Sequence, residues 1–411
     1  MADIKAFRAV RPTRDKVHLV ATRPYYTYKK NVLKAKLQDN PFTFLHIINP
    51  EFGEKIKSPA NSVERFELVK EAYNEFVEDG ILFQDAQPHI YLYRQTKDHH
   101  EYLGIIAGAS VDEYRMNLIK KHEATLTARE QMFTEYLDIV GFNAEPVLLS
   151  YSDEGGHVER ILHEKSMERP EYEYTTTDRI RHELWVLSPE ESDAIVMHFR
   201  DIPEIYIADG HHRSASSAGV RNLRNIKGES HFPNEDFFLA FLLEENKLNI
   251  LEFNRLIKVT TVTRTALIDQ LKAHFTVTLH EGAVKPMHKH QMTMCFDGHW
   301  YVLDCNEELK NIDHPVLSLD SDILTRLVLS PILGIEDLKS DDNIEFVPGT
   351  ESVKKIEKKI LKGDYRISFF LFPIEMKEVK AVADHDLIMP PKSTWVEPKL
   401  RSGLTIYNIN E

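Results

Sequence analysis

Helical and strand patterns alternate from one end of the chain to the other, and this alternation limits the fold more than any other feature. A helix is predicted over residues 63–77, where apolar side chains recur at helical spacing before Asp79-Gly80 supplies a stop. Two strand-like runs follow at 89–95 and 101–109, and the polar residues between them predict a hairpin. Such alternation is typical of α/β or α+β proteins, so we predict a mixed α/β fold.

Capping patterns and short apolar runs predict further elements. Ser110 with Glu113 forms a capping box, which predicts a helix running towards Lys120-Lys121. Ser188-Pro189-Glu190-Glu191 predicts another helix that begins near residue 189. Strands are also predicted at 43–48, 205–208 and 365–372, and residues 237–243 form a strongly apolar run. A helix is predicted at 264–274, and a hairpin around Asp297-Gly298 would pair Cys295 with Trp300.

The length of 411 residues favours two lobes over one ordinary domain. Residues 152–178 are polar and rich in Glu, Arg, Tyr and Thr, which indicates an exposed excursion between lobes or a strand pair over a cleft. We therefore predict an N-terminal α/β lobe over 1–151 and a C-terminal α/β lobe over 152–411. The first lobe contains Lys121-His122-Glu123, and the second contains the motifs at 209–213 and 390–394.

The formal net charge of −14, from 51 basic and 65 acidic residues, opposes binding to polyanions, so we expect no nucleic-acid partner. A small phosphorylated substrate is compatible with that charge, because a local cluster of Lys, Arg and helix amides can hold one phosphate. The sequence has two cysteines, which we do not expect to pair. Sparse cysteine, no apolar N-terminal segment and no run of about 18 apolar residues favour a cytoplasmic protein without a membrane partner.

The motif Asp209-Gly210-His211-His212-Arg213 directly follows the predicted strand at 205–208 and precedes a helix-compatible segment. A glycine turn between strand and helix leaves N–H groups at the helix start, where an anion is favoured, and Arg213 could add a phosphate contact. The two histidines could transfer protons, and Asp209 could orient an imidazole or bind Mg²⁺. A purely structural alternative is that Asp209 caps the helix, Gly210 relieves strain and the histidines pack.

A second cluster, Lys121-His122-Glu123 with Thr125, offers a phosphate contact, a titrating group, a carboxylate base and a hydroxyl within five residues. The alternative interpretation is that these are solvated charges that interact with a helix dipole. The segment alone does not decide between the two.

Near the C-terminus, Pro390-Pro391-Lys392-Ser393-Thr394 leads to Lys399. Two prolines favour an extended path that would present these polar side chains rigidly to a phosphate or carboxylate. The same segment could instead pack against one lobe through Trp395 and Leu400.

His46 lies among apolar neighbours, and a lone histidine there is more often a hydrogen-bonded core residue than a catalyst. We therefore treat it as a secondary candidate for substrate binding.

Taken together, these stretches resemble the Domain of Unknown Function 1015 family of bacteria and archaea. The matching stretches occur in the family's order and are Asn40-Pro41 with Phe44-Leu45-His46 and Pro50-Glu51, Lys121-His122-Glu123 with Thr125, Ile207 to Arg213, and Pro390 to Gly403. The Asp-Gly-His-His-Arg box is also similar to a box of the ParB-like fold, whose relatives include nucleotide-binding partition proteins and a free serine kinase. The resemblance implies a ParB-like core with an additional mixed-sheet lobe, and favours serine or phosphoserine as substrate.

The leading hypothesis is a phosphotransferase that moves a phosphoryl group between ATP, ADP or pyrophosphate and the hydroxyl of serine or a similar small metabolite. Glu123 would be the base, with His122 near it, while Asp209, His211, His212, Gly210 and Arg213 would hold donor phosphates and Mg²⁺ at Asp209. Substrate or phosphate would be bound by Lys121, Thr125, Lys392, Ser393, Thr394, Lys399 and His46.

Two alternative functions are a phosphatase or nuclease-like hydrolase, and a sensing module that binds a nucleotide or phosphorylated metabolite without turnover. Assembly as a homodimer is left open.

Two stretches depart from the family pattern. The usual Pro-Tyr-Asp is Pro24-Tyr25-Tyr26 in this chain, and the usual Lys-Glu-x-Asp-Arg is Arg129-Glu130-Gln131-Met132-Phe133. Each change removes charged groups. The resemblance therefore implies that this chain binds its substrate differently from other members of the family, or that its activity is weaker.

Overall fold

The computed structural model describes residues 2–411 and contains alternating strands and helices, as the sequence predicts. The strands are β1 (Ile4–Lys5), β2 (Val10–Pro12), β3 (Leu82–Gln84), β4 (Tyr91–Lys97), β5 (His100–Ser110), β6 (Ile119–Lys120), β7 (Phe142–Asn143), β8 (Val147–Tyr151), β9 (Tyr172–Thr175), β10 (Arg181–Val186), β11 (Ile205–Asp209), β12 (Phe237–Glu244), β13 (Asn249–Ile257), β14 (Phe275–His280), β15 (Gln291–Phe296), β16 (His299–Cys305), β17 (Ile344–Pro348), β18 (Ile367–Phe370), β19 (Thr394–Glu397) and β20 (Tyr407–Asn408). The helices are α1 (Val17–Val20), α2 (Lys30–Asp39), α3 (Leu45–Ile48), α4 (Val63–Glu78), α5 (Val111–Arg115), α6 (Thr127–Val140), α7 (His157–Ser166), α8 (Pro189–Phe199), α9 (His211–Lys227), α10 (Arg264–Leu271), α11 (Glu307–Lys310), α12 (Asp320–Leu324), α13 (Val353–Leu361) and α14 (Met376–Asp384). The predicted α/β class is confirmed.

The chain forms two compact units. The first contains the chain up to Lys121, together with Thr125–Leu248 and Pro398–Glu411, and the second contains His122–Ala124 and Asn249–Glu397. This division differs from the predicted boundary after residue 151, because β8 and β11 lie on either side of that boundary and pair within one sheet. The polar stretch 152–178 contains α7 and β9 and belongs to the first unit.

The first unit is built on a nine-stranded sheet in the order β6-β11-β8-β12-β5-β4-β10-β9, with β1 beside β5. The central strand β12 is apolar at nearly every position and buried on both faces, as expected for a strand covered on both sides. On one face, Phe238, Ala240 and Leu242 pack with Ile105 and Ile207 in the main core of the unit. This packing fixes β11, and therefore the turn that follows it.

The second unit contains a seven-stranded sheet in the order β14-β16-β15-β18-β13-β17, with β19 pairing with β13. The hairpin at Asp297-Gly298 has the predicted register, since Cys295 lies opposite Trp300. Cys295 and Cys305 are both buried and unpaired with each other, which confirms that they form no disulfide. The helix predicted at 264–274 ends at Leu271 as α10.

Two local predictions were wrong. The helix that Ser110 caps ends at Arg115, because the next residues form β6 and pair in parallel with β11; the side chain of Glu113 accepts from the Asp3 N–H at 2.8 Å. Residues 45–48 form the short helix α3 and not a strand, with Leu45 and Ile47 buried. In both segments tertiary pairing or packing determines the conformation.

Within the described chain, no helix combines the length and the apolar composition needed to cross a membrane.

Asp320, the first residue of α12, gives the second unit a pH-dependent stability. Burial raises the pKa of its carboxyl to about 7, although the His290 N–H donates to both carboxyl oxygens at 3.0 and 3.3 Å. The folded form therefore holds a proton that the unfolded form has released, so stability is highest below the unfolded pKa and falls as pH rises towards about 7. We expect Asp320→Asn to match the wild type in urea midpoint at pH 3.5, below the unfolded pKa of 3.8, and to exceed it at pH 8.

Asp322→Asn on the same helix is the matched control, because the Asp322 carboxylate is paired with Arg326 at 3.1 Å. Its urea midpoint should change with pH as that of the wild type does. Equal midpoints for Asp320→Asn and wild type at both pH values would contradict the assignment.

Candidate functional site

The turn between β11 and α9 has the strand-glycine-helix geometry that the sequence predicts. Gly210 has φ of 108°, and α9 then runs for 17 residues from His211. The backbone angle favours glycine at this position, and a side-chain carbon there would lie 3.0 Å from Nε of Arg213, so the guanidinium would have to shift. N–H groups in the first turn of a helix point out of its N-terminal end, where the helix dipole favours an anion.

Arg213 connects two carboxylates in the first unit. Its guanidinium lies 3.0 Å from Glu145 and 3.3 Å from Asp209, and it also donates to the carbonyl oxygen of Pro146. Burial raises the pKa of Glu145, and the neighbouring Arg213 charge only partly offsets this. The predicted phosphate-binding arginine is therefore held in a network of protein groups, and an incoming phosphate must compete with Glu145 and Asp209 for it.

Lys399 adds a second cation to this cluster. Its Nζ lies 3.4 Å from Oδ2 of Asp209, and its backbone oxygen accepts from the Gln95 side chain at 3.3 Å. The structure thus brings Lys399 to Asp209, which lies 190 positions earlier in the chain in the same motif as Arg213. With Glu145 they form a cluster of two cations and two carboxylates beside the start of α9.

The two histidines of the motif are integrated into the first turn of α9. His211 is buried, and its carbonyl oxygen accepts from the Ser214 hydroxyl at 3.1 Å. The carbonyl oxygen of His212, which is half-buried, accepts from the Ser216 hydroxyl at 2.6 Å. These contacts join the backbone of both histidines to serines of the same helix, and the proton-transfer role of the histidines stays a prediction.

The residues at this turn fit a resident Mg²⁺ poorly. One oxygen of Asp209, the predicted ligand, already faces two cations, Arg213 and Lys399. Across residues 2–411, no three His, Cys, Asp or Glu side chains are arranged to hold a metal ion. A Mg²⁺ site in proteins uses carboxylate oxygens that are open to the ion, so we assign no step to a bound metal.

Lys121 and Thr125 have other partners in the first unit. The Lys121 ammonium donates to the carbonyl oxygen of Tyr114 at 3.0 Å and lies 4.2 Å from the centre of that ring. The Thr125 hydroxyl is hydrogen-bonded to the carboxylate of Glu130. These contacts anchor the segment to α5 and α6, and their predicted roles in binding phosphate remain predictions.

His122 and Glu123 belong to the second unit. His122 is buried, and its carbonyl oxygen accepts from the Met389 N–H at 2.9 Å, while Glu123 is exposed. The contact with Met389 connects the Lys-His-Glu segment to the residues just before Pro390. Exposure is compatible with the predicted role of Glu123 as a base, and that role stays a prediction.

The Pro-Pro-Lys-Ser-Thr segment is a turn followed by a strand, and not the extended path that we predicted. Lys392 has φ of 57°, and its Nζ lies 5.5 Å from the centre of the Phe253 ring. Ser393 is buried, with its hydroxyl 2.7 Å from the Pro390 carbonyl oxygen and 3.0 Å from Ser321. Thr394 begins β19. Lys392 is exposed, and its role in binding stays a prediction, whereas Ser393 has a structural role in the turn.

His46 lies on α3 and does not join the charged cluster. Its Nε2 is buried, and no hydrogen-bond partner is found for it in the described chain. Its ring lies edge-on to the Phe52 ring, with the ring centres 6.1 Å apart.

Glu145 is the member of the cluster that the sequence did not predict. No local motif marks it, because its partner Arg213 lies 68 positions further along the chain.

Comparison with protein families finds a match over residues 4–322 to a family described as protein of unknown function, DUF1015. Comparison with curated proteins finds no match.

Three solved structures illustrate the structural similarities. A conserved hypothetical protein from Pyrococcus furiosus is 14% identical, with a TM-score of 0.36, over 75% of this chain and 96% of that one. A C-terminally truncated SbnI from Staphylococcus aureus is 12% identical, with a TM-score of 0.38, over 74% and 87%. A free serine kinase in complex with AMP is 13% identical, with a TM-score of 0.35, over 73% and 91%. At these scores, none of the three assigns an activity to this chain.

Proposed function

We propose a phosphotransferase function for this chain, which belongs to the DUF1015 family of proteins of unknown function. The start of α9 would bind the phosphate of a donor, either ATP, ADP or pyrophosphate, and the acceptor would be serine or a similar small hydroxyl metabolite. One observation carries the proposal. The glycine turn places the N-terminus of α9, a helix of 17 residues, beside Arg213 and Lys399.

The charges at the turn support phosphate binding. Phosphoryl transfer depends mainly on positioning and on neutralising the charge of the transferred group, which helix N–H groups, arginine and lysine can provide. A phosphate entering the turn would take over contacts that Arg213 makes with Glu145 and Asp209. Because burial raises the pKa of Glu145, this carboxyl can take up a proton when it loses the guanidinium.

The chemical step follows from these roles. The acceptor hydroxyl loses its proton to a general base, and its oxygen forms a bond to phosphorus. The bond between phosphorus and the donor's bridging oxygen breaks, and that oxygen keeps the electron pair. The donor leaves with its charge compensated by Arg213 and Lys399.

A second candidate is a sensing module that binds a phosphorylated ligand without turnover. One observation favours it: Arg213 is already engaged by Glu145, Asp209 and the Pro146 carbonyl, so ligand binding would rearrange a network that exists without it. Such a rearrangement can signal occupancy in the absence of any reaction.

Phosphorus NMR distinguishes these functions. The full chain would be incubated with serine and MgCl₂ in separate tubes that contain ATP, ADP or pyrophosphate. We expect a phosphoserine resonance in at least one tube, and that tube identifies the donor. Free phosphate released at the same rate without serine would replace the proposal with a hydrolase. Unchanged spectra, with ligand binding seen by calorimetry, would replace it with the sensing module.

A further inference from the structure

A cavity of about 520 Å³ lies within the first unit, and its lining includes Arg213 and Glu145 of the charged cluster, while the rest of its wall has no role described above. Its wall is largely aromatic and includes Phe44, Phe66, Phe133, Tyr136 and Phe142. Small-molecule sites have volumes of about 300–1,000 Å³ and are lined mainly by apolar and aromatic side chains with a few polar groups. The size and the lining of the cavity are those of a ligand site, and serine alone would leave most of it empty.

Asn143 is the polar group that points to a ligand. This residue lines the cavity and is only 7% exposed, and its Oδ1 accepts from the Ser217 hydroxyl at 3.2 Å. Its Nδ2 is buried, and no hydrogen-bond partner is found for it in the described part of the chain. A buried donor without an acceptor is unfavourable, and an acceptor atom on a bound ligand would remove that cost.

Both arginines that line the cavity are paired with carboxylates, and the other cation of the lining, Lys57, is exposed. Arg213 lies 3.0 Å from Glu145, and Arg65 lies 2.7 Å from Glu51. Each guanidinium is therefore balanced by a carboxylate, and the aromatic wall offers no counter-charge to a buried anion. The cavity favours a ligand whose buried portion is an aromatic ring without negative charge.

We propose that this cavity binds an uncharged aromatic ring that carries a hydrogen-bond acceptor. The ring lies between the aromatic side chains, and the acceptor receives a hydrogen bond from Asn143. Two kinds of molecule have this chemistry, namely the base of a nucleoside and the ring of an aromatic metabolite. The proposal does not depend on phosphoryl transfer, because the ring and the acceptor contain no phosphate.

Methyl NMR of the full chain, with ¹³C-labelled methionine, tests the proposal. Met132 lines the cavity, whereas Met116 and Met287 are 63% and 80% exposed and do not. The probes are adenosine and N-acetyl-L-tyrosinamide, which are both uncharged at neutral pH. We expect a saturable ring-current shift of the Met132 methyl signal with at least one probe, and no shift of the other two. The probe that binds identifies the source of the ring.

Phe133→Ala should weaken binding of that probe by roughly 5- to 150-fold, the range for loss of one aromatic stacking partner. Phe133 is 37% exposed, so the variant should fold. The matched control is Val77→Ala, because Val77 lies on α4, which also lines the cavity, but its own side chain is 39% exposed and lies outside.

No shift of Met132 with either probe at millimolar concentration would overturn the proposal. Equal shifts of all three methyl signals, or equal weakening by Phe133→Ala and Val77→Ala, would overturn it too. Because neither probe carries phosphate, these results are independent of the phosphorus NMR experiment. Failure of the proposed phosphotransferase activity and failure of the ring site are therefore distinguishable.

Discussion

Arg213→Met is expected to lower the rate of phosphoserine formation by at least roughly a hundredfold, the usual effect of removing one donor that stabilises transition-state charge. The guanidinium is the group that lies between Glu145 at 3.0 Å and Asp209 at 3.3 Å, directly beside the helix start. Without it, two carboxylates face the incoming phosphate with only Lys399 to compensate them. The initial rate would be measured by phosphorus NMR with the donor identified for the wild type.

Arg221→Met is the matched control for this substitution. Arg221 lies on the same helix and is paired with Asp112 at 2.6 Å and Asp236 at 3.0 Å, outside the charged cluster. Its rate should stay within about threefold of the wild type, since an exposed ion pair contributes little to folding. If Arg213→Met folds, as judged by thermal unfolding, and retains the control's rate, the proposed role of Arg213 is wrong.

Much of the fold could be predicted because local signals and tertiary structure agree there. The hairpin of β4 and β5, the stop of α4 at Asp79-Gly80 and the register of Cys295 opposite Trp300 all follow from turn residues and periodicity. The capping box at Ser188 is present in full, with the Ser188 hydroxyl and the Glu191 carboxylate each accepting a backbone N–H. Such signals need only a few neighbouring residues.

The predictions failed where distant residues determine the structure. The helix from Ser110 is cut short because Ile119-Lys120 pairs with β11, whose strand begins at residue 205. The boundary after residue 151 was expected from polar composition, yet β8 and β11 join across it. No window of sequence contains both members of these pairs, so periodicity and capping cannot reveal them.

In the candidate site, too, residues of local motifs could be predicted and a partner distant in sequence could not. The glycine turn at 209–213 could be predicted because strand, glycine and helix are adjacent in sequence, and Lys399 could be named from a motif. Glu145 could not be predicted, because its contact with Arg213 exists only in the folded chain. Met132 and Phe133 depart from the family's sequence pattern and were expected to alter substrate binding. Both residues lie in the wall of the aromatic cavity. There, apolar side chains occupy positions where the family pattern has charges.

Arg255→Met is expected to raise the free energy of unfolding by about 1–4 kcal/mol, because it removes a buried charge for which residues 2–411 provide no paired carboxylate. Arg255 lies on β13 and is 0% exposed. Its Nη1 donates to the carbonyl oxygen of Phe253, but no partner is found within residues 2–411 for Nε or Nη2. Burial lowers the pKa of the guanidinium to about 9, and the Phe346 ring at 5.2 Å is its remaining contact.

Urea unfolding followed by tryptophan fluorescence would measure this effect, since Trp300 and Trp395 both lie in the second unit. The matched control is Arg366→Met, because Arg366 is 40% exposed and paired with Asp297 at 2.6 Å. Its stability should stay within about 1 kcal/mol of the wild type. A less stable Arg255→Met would mean that the carbonyl and ring contacts outweigh the cost of burying the charge. In that case the guanidinium stabilises the second unit, and the expected sign is wrong.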